Sequence, residues 1–257
     1  MIDSHCHLEQ KDFDADLEMV IGRCRAIGME GIVSSCAASQ DFEKTLQIAK
    51  RFPDFVFPVA GIHPEYIKEI SSEQIEDFFE KLKNCSNEIF GIGEVGLDYF
   101  WIKEPAWREK QKELFLRFIE LAKSLKKPLV VHSRDAYPEI VSILESTGIE
   151  KVHLHMWGGK NEMEKVLAHE WNISIGPVIA ASKIHRKIAK QMPLERIFLE
   201  TDSPWFGNPK GSRGEPTNIK IPCEKIANEK KISFEEVWKV CGENARKFYG
   251  LPSNRII

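Results

Sequence analysis

Two histidines stand two residues apart almost at the start of the chain, in Met1-Ile2-Asp3-Ser4-His5-Cys6-His7. Alternate side chains of a β-strand share a face, so His5 and His7 point one way and Cys6 the other. Two imidazoles side by side at a strand's end can grip one divalent metal, because their lone pairs are largely free near neutral pH. The same chemistry recurs along the chain: Glu94 in Gly91-Ile-Gly-Glu94, His132 in Val130-Val-His132, His155 in His153-Leu-His155 and Asp202 in Leu199-Glu-Thr-Asp202. Each of these residues closes a short apolar run. Four histidines and two carboxylates are too many ligands for one tetrahedral ion and suit two. A carboxylate can bridge two ions through its two oxygens, whereas an imidazole cannot. The expected grouping is His5, His7, Glu94 and Asp202 around one ion, and Glu94, His132 and His155 around the other, with Glu94 shared. Mixed nitrogen and oxygen donors fit zinc or manganese. Magnesium, which prefers oxygen, fits this set less well but is not excluded. Two such ions, about 3.5–4 Å apart, activate a water and clamp the charged oxygens of a displacement at phosphorus.

Something must bring these side chains together. Short apolar runs alternate with helical patterns throughout. Strands are expected over Met1–Ser4, Gly31–Ala37, Phe55–Ile62, Ile89–Val95, Pro128–His132, Lys151–His155, Asn172–Ile175 and Ile197–Thr201. Helices are expected over Asp14–Ile27, Asp41–Phe52, from Ser72, and over Trp107–Leu125, Ala136–Ser146, Glu162–Glu170 and Ser182–Gln191, with a helical tail after Ile219. Strand followed by crossover helix, repeated, gives a parallel sheet. Eight such units in 257 residues favour closure into a (β/α)₈ TIM barrel over an open doubly wound sheet. No linker or low-complexity tract divides the chain, so residues 1–257 are read as one barrel domain. Barrel enzymes build their sites where the strands end, and the metal-capable residues fall there.

The bulk composition agrees with an enzyme. Hydrophobic residues make up 42% of the chain, enough for a sizeable core. A net charge of −3 argues against a passive, sequence-blind coat on nucleic acid, but metal charge and a few arginines still allow a nucleic-acid substrate. The six cysteines include no CxxC pair, so reduced thiols in a cytoplasmic protein are expected. No apolar run is long enough to span a membrane, and no basic-then-apolar leader precedes Asp3.

Taken together, these stretches resemble the TatD family of metal-dependent deoxyribonucleases, within the amidohydrolase-like barrels. The matching motifs are Ile2-Asp-Ser-His-Cys-His7, Gly61-Ile-His-Pro64, Gly93-Glu-Val-Gly-Leu-Asp-Tyr99, Val131-His-Ser-Arg-Asp135, His155-Met-Trp-Gly-Gly159, Glu200-Thr-Asp-Ser-Pro204 and Arg213-Gly-Glu-Pro-Thr-Asn218. They span almost the whole chain in the family's order. The resemblance implies the ligand roles above, with Glu94 and Asp202 catalytic and Asp202 shuttling the proton of the attacking water. It also implies hydrolysis of DNA phosphodiester bonds, commonly by an exonuclease working on single strands or 3′ ends. The chain departs from the family's usual motifs at Glu65, where a second histidine is common, at Gly214, where asparagine is, and in Met156-Trp-Gly-Gly159. All three departures lie in loops that would touch substrate.

Other residues admit two readings each. His63 is a candidate contact to substrate phosphate, or else part of a packed turn before Pro64. Arg134 and Arg213 are candidate phosphate contacts, since the guanidinium fork matches two phosphate oxygens. The alternative for Arg134 is an ion pair with Asp135, Asp98 or Glu200. Tyr99 either stacks on a base or packs in the core. Asp3 and Glu200 share faces with the ligands and would orient them. His153 is read as an interior histidine, while His169 and His185 are read as solvated. Two other functions keep their place. One is an ester or amide hydrolase on the same scaffold, such as a lactonase, phosphotriesterase or aminoacyl-tRNA deacylase. The other is a non-enzymatic metal-binding interaction protein, against which the open rim of six ligands speaks.

Overall fold

Eight parallel strands in the order β1 to β8 form one sheet in the computed structural model, which describes residues 1–252. They are β1 (Ile2–Cys6), β2 (Gly31–Cys36), β3 (Val56–Ala60), β4 (Gly91–Asp98), β5 (Leu129–Arg134), β6 (Val152–Leu154), β7 (Asn172–Ile175) and β8 (Ile197–Leu199). Helices α1 (Leu17–Ala26), α2 (Phe42–Arg51), α3 (Ser72–Asn84), α4 (Pro105–Leu125), α5 (Tyr137–Thr147), α6 (Met163–Ala168) and α7 (Lys183–Gln191) fill the crossovers. Helices α8 (Lys220–Lys230) and α9 (Phe234–Tyr249) follow the last strand. The expected (β/α)₈ barrel is the observed architecture.

Closure comes from the first strand meeting the segment that follows the last one. His7 N–H donates to the Ser203 carbonyl at 2.8 Å, and Asp202 N–H donates to the His5 carbonyl at 3.0 Å. Asp3 reinforces the seam from inside. Its carboxylate accepts from the Thr201 backbone N–H at 3.0 Å and from the Thr201 hydroxyl at 2.6 Å. Asp3 thus ties the first strand to the segment after the last, rather than orienting a histidine ring as its spacing suggested.

Side chains divide between two apolar layers. Ile2, Val33, Phe57, Val59, Val130 and Phe198 pack together with Ala245, Tyr249 and Leu251, so α9 and its end cover the lower mouth of the barrel. His153 belongs to this lower layer, with its Nδ1 2.6 Å from the Tyr249 hydroxyl, as an interior histidine should be. The larger layer lies between sheet and helices, around Phe42, Phe78, Phe115, Phe118 and Ile140. Polar chemistry is thereby left to the upper end of the barrel.

Strand β4 carries the carboxylate that matters most, and its backbone needs glycine. Gly96 pairs with His132 of β5 and has φ of 144°. A Cβ there would stand 2.1 Å from the His132 carbonyl oxygen. Gly93 likewise has φ of 143°, and its Cβ would meet the Val130 carbonyl at 2.4 Å. These two glycines let β4 approach β5 closely on both sides of Glu94. Gly96→Ala should cost at least about 3 kcal/mol through backbone strain and steric overlap. Denaturant unfolding checks this, and an unchanged midpoint would refute the close-approach reading.

Candidate metal centre

Glu94 sits on β4 between two groups of imidazoles, only 3% exposed. Its Oε2 lies 3.2 Å from His5 Nε2 and 3.6 Å from His7 Nε2. Its Oε1 lies 2.8 Å from His132 Nδ1 and 3.4 Å from His155 Nε2. Asp202 Oδ1 approaches the first group, 3.3 Å from His7 Nε2 and 3.7 Å from His5 Nε2. All six residues expected from the sequence therefore converge. Among the described residues, four groupings satisfy metal-ligand spacing: His5–His7–Glu94, Glu94–His132–His155, His5–His155–Asp202 and His63–Asp98–His132.

Each element places its residue for a local reason. His5 lies within β1 and His7 follows it directly, the extended backbone turning both toward the barrel axis while Cys6 is buried outward. His132 lies within β5, and His155 follows β6 directly. Asp202 is less regular than the sequence suggested. Strand β8 stops at Leu199, and Asp202 lies three residues beyond with φ of 52°. The Asp3–Thr201 contacts described above hold it there. His63 closes the ring from the end of β3, with Nε2 3.6 Å from Glu94 Oε1 and Nδ1 accepting from the Glu65 N–H at 3.3 Å. It is part of a tight turn and its ring faces the site.

Behind the imidazoles stand further carboxylates. Glu200 Oε2 lies 2.9 Å from His155 Nδ1 and also accepts from the Ser174 hydroxyl at 2.6 Å. Asp98 Oδ2 lies 3.0 Å from His132 Nε2. Glu9 Oε1 lies 3.4 Å from His7 Nδ1. A carboxylate behind a ligating histidine fixes the ring and raises its basicity. The orienting role expected for Glu200 is supported by this contact. Asp98 and Glu9 escaped the sequence reading in this role. Each stands two or four residues beyond a ligand on its own strand or turn, and that offset was the available signal.

The electrostatics follow from this crowding. Burial alone would push the Glu94 carboxyl up, but His155, His63, His5 and His132 hold it well below the usual range. Asp202 is likewise held low, against burial, by His7 and His155. Burial opposes charge on His155, yet Glu200 and Glu94 raise it to about 10. His7 is raised by Asp202 and Glu9, and His132 by Asp98 and Glu94, in both cases against burial. His5 goes the other way, lowered by burial and by His155. His63 is lowered to about 3, by burial and by His132. Two ionised carboxylates deep in a nitrogen-rich cavity call for positive charge, and borderline divalent cations suit such a donor set.

The two candidate arginines part company. Arg213 is committed to structural work. It donates to both oxygens of Asp16, at 2.7 and 2.8 Å, to Glu215 at 2.6 Å and to the Asp12 carbonyl at 2.6 Å. That network pins the loop after β8 onto α1, which corrects the reading of Arg213 as a substrate contact. Arg134 is exposed, and its guanidinium lies over the Phe100 ring, 3.8 Å from the centroid. Among the ion pairs found in the described residues, none joins it to Asp135, Asp98 or Glu200. Tyr99 is half-buried, hydrogen-bonded to Glu139 and covered by Arg108, so it packs instead of offering a free face. His185 is half-buried and bonded to Ser182 at 2.8 Å, not solvated. His169 is exposed, 3.2 Å from Glu145.

The Arg213 network carries a pH signature. Its hydrogen bond is the main cause that lowers Asp16 to about 2. A folded pKa below the unfolded value of about 3.9 adds stability above that pH, lost as pH falls through the folded value. Arg213→Met should therefore lower stability at pH 6, and the gap to the parent protein should shrink between about pH 4 and pH 2. Unfolding curves across that range test this. A gap independent of pH would mean that the arginine contributes only by packing.

The family model of TatD-related DNases matches residues 2–250 of this chain. The chain is 38% identical to human Deoxyribonuclease TATDN3, over 97% of this chain and 94% of the relative. It is 34% identical to an uncharacterized metal-dependent hydrolase of Methanocaldococcus jannaschii, with 96% of each chain covered. The fold is similar to that of the TatD homologue YJJV from Escherichia coli, with a TM-score of 0.89 and 23% identity over 98% of both chains. The motifs, the barrel and the converging ligands agree with these matches, and the chain belongs to the TatD-related DNase family of metal-dependent hydrolases.

Proposed function

We propose that this protein is a deoxyribonuclease, an exonuclease that hydrolyses DNA phosphodiester bonds at single strands or 3′ ends with two divalent cations. One observation carries the two-ion reading: the two oxygens of Glu94 face different histidine pairs, Oε2 toward His5 and His7, Oε1 toward His132 and His155. That division supports Glu94 as a bridge. His5, His7, Glu94 and Asp202 would hold one ion, and Glu94, His132 and His155 the other. Zinc or manganese bound there, with magnesium third in fit, would supply Lewis-acid charge at the phosphoryl oxygens and lower the pKa of a water toward about 7.

The chain's own groups have separate tasks. Asp202 is ionised, partly open to solvent and held by His7, so it takes the proton from the attacking water. As the new oxygen–phosphorus bond forms, the bond to the 3′ oxygen breaks, and that oxygen is reprotonated from solvent. His63, kept neutral by burial, offers its ring to a nonbridging phosphate oxygen without adding charge. Arg134 meets the phosphate from outside the cavity. Glu200, Asp98 and Glu9 hold the ligand rings at fixed angles. The whole chain would work as one barrel domain, in the cytoplasm, where its six free cysteines stay reduced.

A substrate panel tests the reading directly. Single-stranded DNA, plasmid, aminoacyl-tRNA and lactones would be offered with Mg²⁺, Mn²⁺ or Zn²⁺. Shortening of the single strand from an end is expected. A higher kcat/KM on the lactone or the aminoacyl ester would overturn it in favour of another hydrolase. Two substitutions probe the centre itself. Glu94→Gln should cut kcat by about 10³-fold or more, with metal content falling below two ions per chain. Glu200→Gln should retain the fold and weaken metal affinity by about 10–100-fold, measured by competition with a chelator. Full activity in the first variant would remove the bridge, and unchanged affinity in the second would remove the orienting role.

A further inference from the structure

Among the described residues, the exposed aromatic rings are confined to two loops. Among the described residues, the exposed large apolar side chains are Met19, Phe100, Trp101, Leu116, Leu167, Ile184, Trp205 and Phe206. The four aliphatic ones are scattered over α1, α4, α6 and α7. The four aromatic ones sit in two adjacent pairs on the loops after β4 and β8, at the end of the barrel that holds the metal centre. Trp101 is 57% exposed and Trp205 is 48% exposed. Large apolar surface left open beside a polar cavity marks a binding site more often than chance.

Both pairs are held firmly and tied to the centre. Trp101 N–H donates to Asp98 Oδ1 at 2.8 Å, and the other oxygen of Asp98 meets His132. Arg108 donates to the carbonyls of Ile102 and Tyr99, at 2.9 and 3.1 Å, which fixes the rest of that loop. Trp205 N–H donates to the Asp202 carbonyl at 3.0 Å, and Gly214 N–H to the Pro204 carbonyl at 2.7 Å. The Trp205 ring meets the His7 ring edge-on, with centroids 4.8 Å apart. His132 faces one oxygen of Glu94 and His7 faces the other. One aromatic pair therefore belongs to each side of the central carboxylate. Arg134 adds a cation over the first pair, 3.8 Å from the Phe100 centroid and 5.6 Å from that of Trp101.

We propose that Phe100–Trp101 and Trp205–Phe206 are two stacking walls that hold the two nucleobases flanking the scissile phosphate. This rests on the phosphodiesterase reading and sharpens it. The unit recognised is a dinucleoside phosphodiester whose bases are free of a partner strand. A π-face accepts any base, so the walls bind without reading sequence. With a chain charge of −3, attraction from bulk charge is weak, and stacking supplies the grip. Arg134 pairs with phosphate while it stays stacked on the first wall, a combination open to arginine and not to lysine.

The test varies protein and substrate together. A short single-stranded oligonucleotide is compared with two versions that lack one base, immediately on either side of the cleaved bond. Each is assayed with the parent protein, Trp101→Ala, Trp101→Phe and Trp205→Ala, with metal content measured on every sample. Removing either base should raise KM about tenfold for the parent. Trp101→Ala should raise KM similarly on the natural oligonucleotide, add nothing when one particular base is already missing, and be rescued by Trp101→Phe. Trp205→Ala should show the same pattern with the other base while keeping its metal. Equal KM for natural and base-free substrates, or variants that act equally on all three, would overturn the walls and leave the phosphodiesterase reading intact. A parent protein that cleaves none of the three would overturn both.

Discussion

A carboxylate buried as deeply as Glu94 persists in ionised form only where charge or donors surround it closely. Here imidazoles reach it from β1, from β5 and from the segments that follow β1, β3 and β6. No single strand could supply that shell. Closure of the sheet brings together donors that lie far apart in the chain, and the rest of the upper barrel follows from that need. The apolar layers below and outside carry the folding free energy, which leaves the upper rim to polar groups that would weaken a core.

The rim is rigid for identifiable reasons. Glycines on β4 admit a spacing that a Cβ would forbid, and carboxylates behind His7, His132 and His155 limit the rotation of those rings. Asp3 buttons the first strand to the turn that carries Asp202. Arg213 does the same further out, where Asp16 and Glu215 receive it. A site that must hold divalent metal and substrate within a fraction of an ångström needs such support. The same loops also expose aromatic rings, so rigidity at the centre and adhesion at its edge share one backbone.

Much of this was legible beforehand. Apolar runs separated by amphipathic stretches announce a parallel α/β architecture, and residues of one chemistry at the ends of those runs announce a shared rim. The six candidate ligand positions follow from that pattern, because strand alternation is local. What was not legible depends on contacts between distant segments. Asp202 looked like the end of a strand, but the strand stops at Leu199 and a side chain from β1 shapes the turn. Arg213 looked like a phosphate contact, since nothing local shows that Asp16 lies beside it. Tyr99 and Trp101 are neighbours of similar type, and only packing against Arg108 and Glu139 decides which one is open.

Sharing of Glu94 between two cations is the centre of this account. Anomalous diffraction from crystals grown with manganese measures it most directly. Two peaks about 3.5–4 Å apart are expected, one beside His5 and His7, the other beside His132 and His155, with a Glu94 oxygen on each. A single fully coordinated ion, or ions that leave Glu94 without contact, would contradict it.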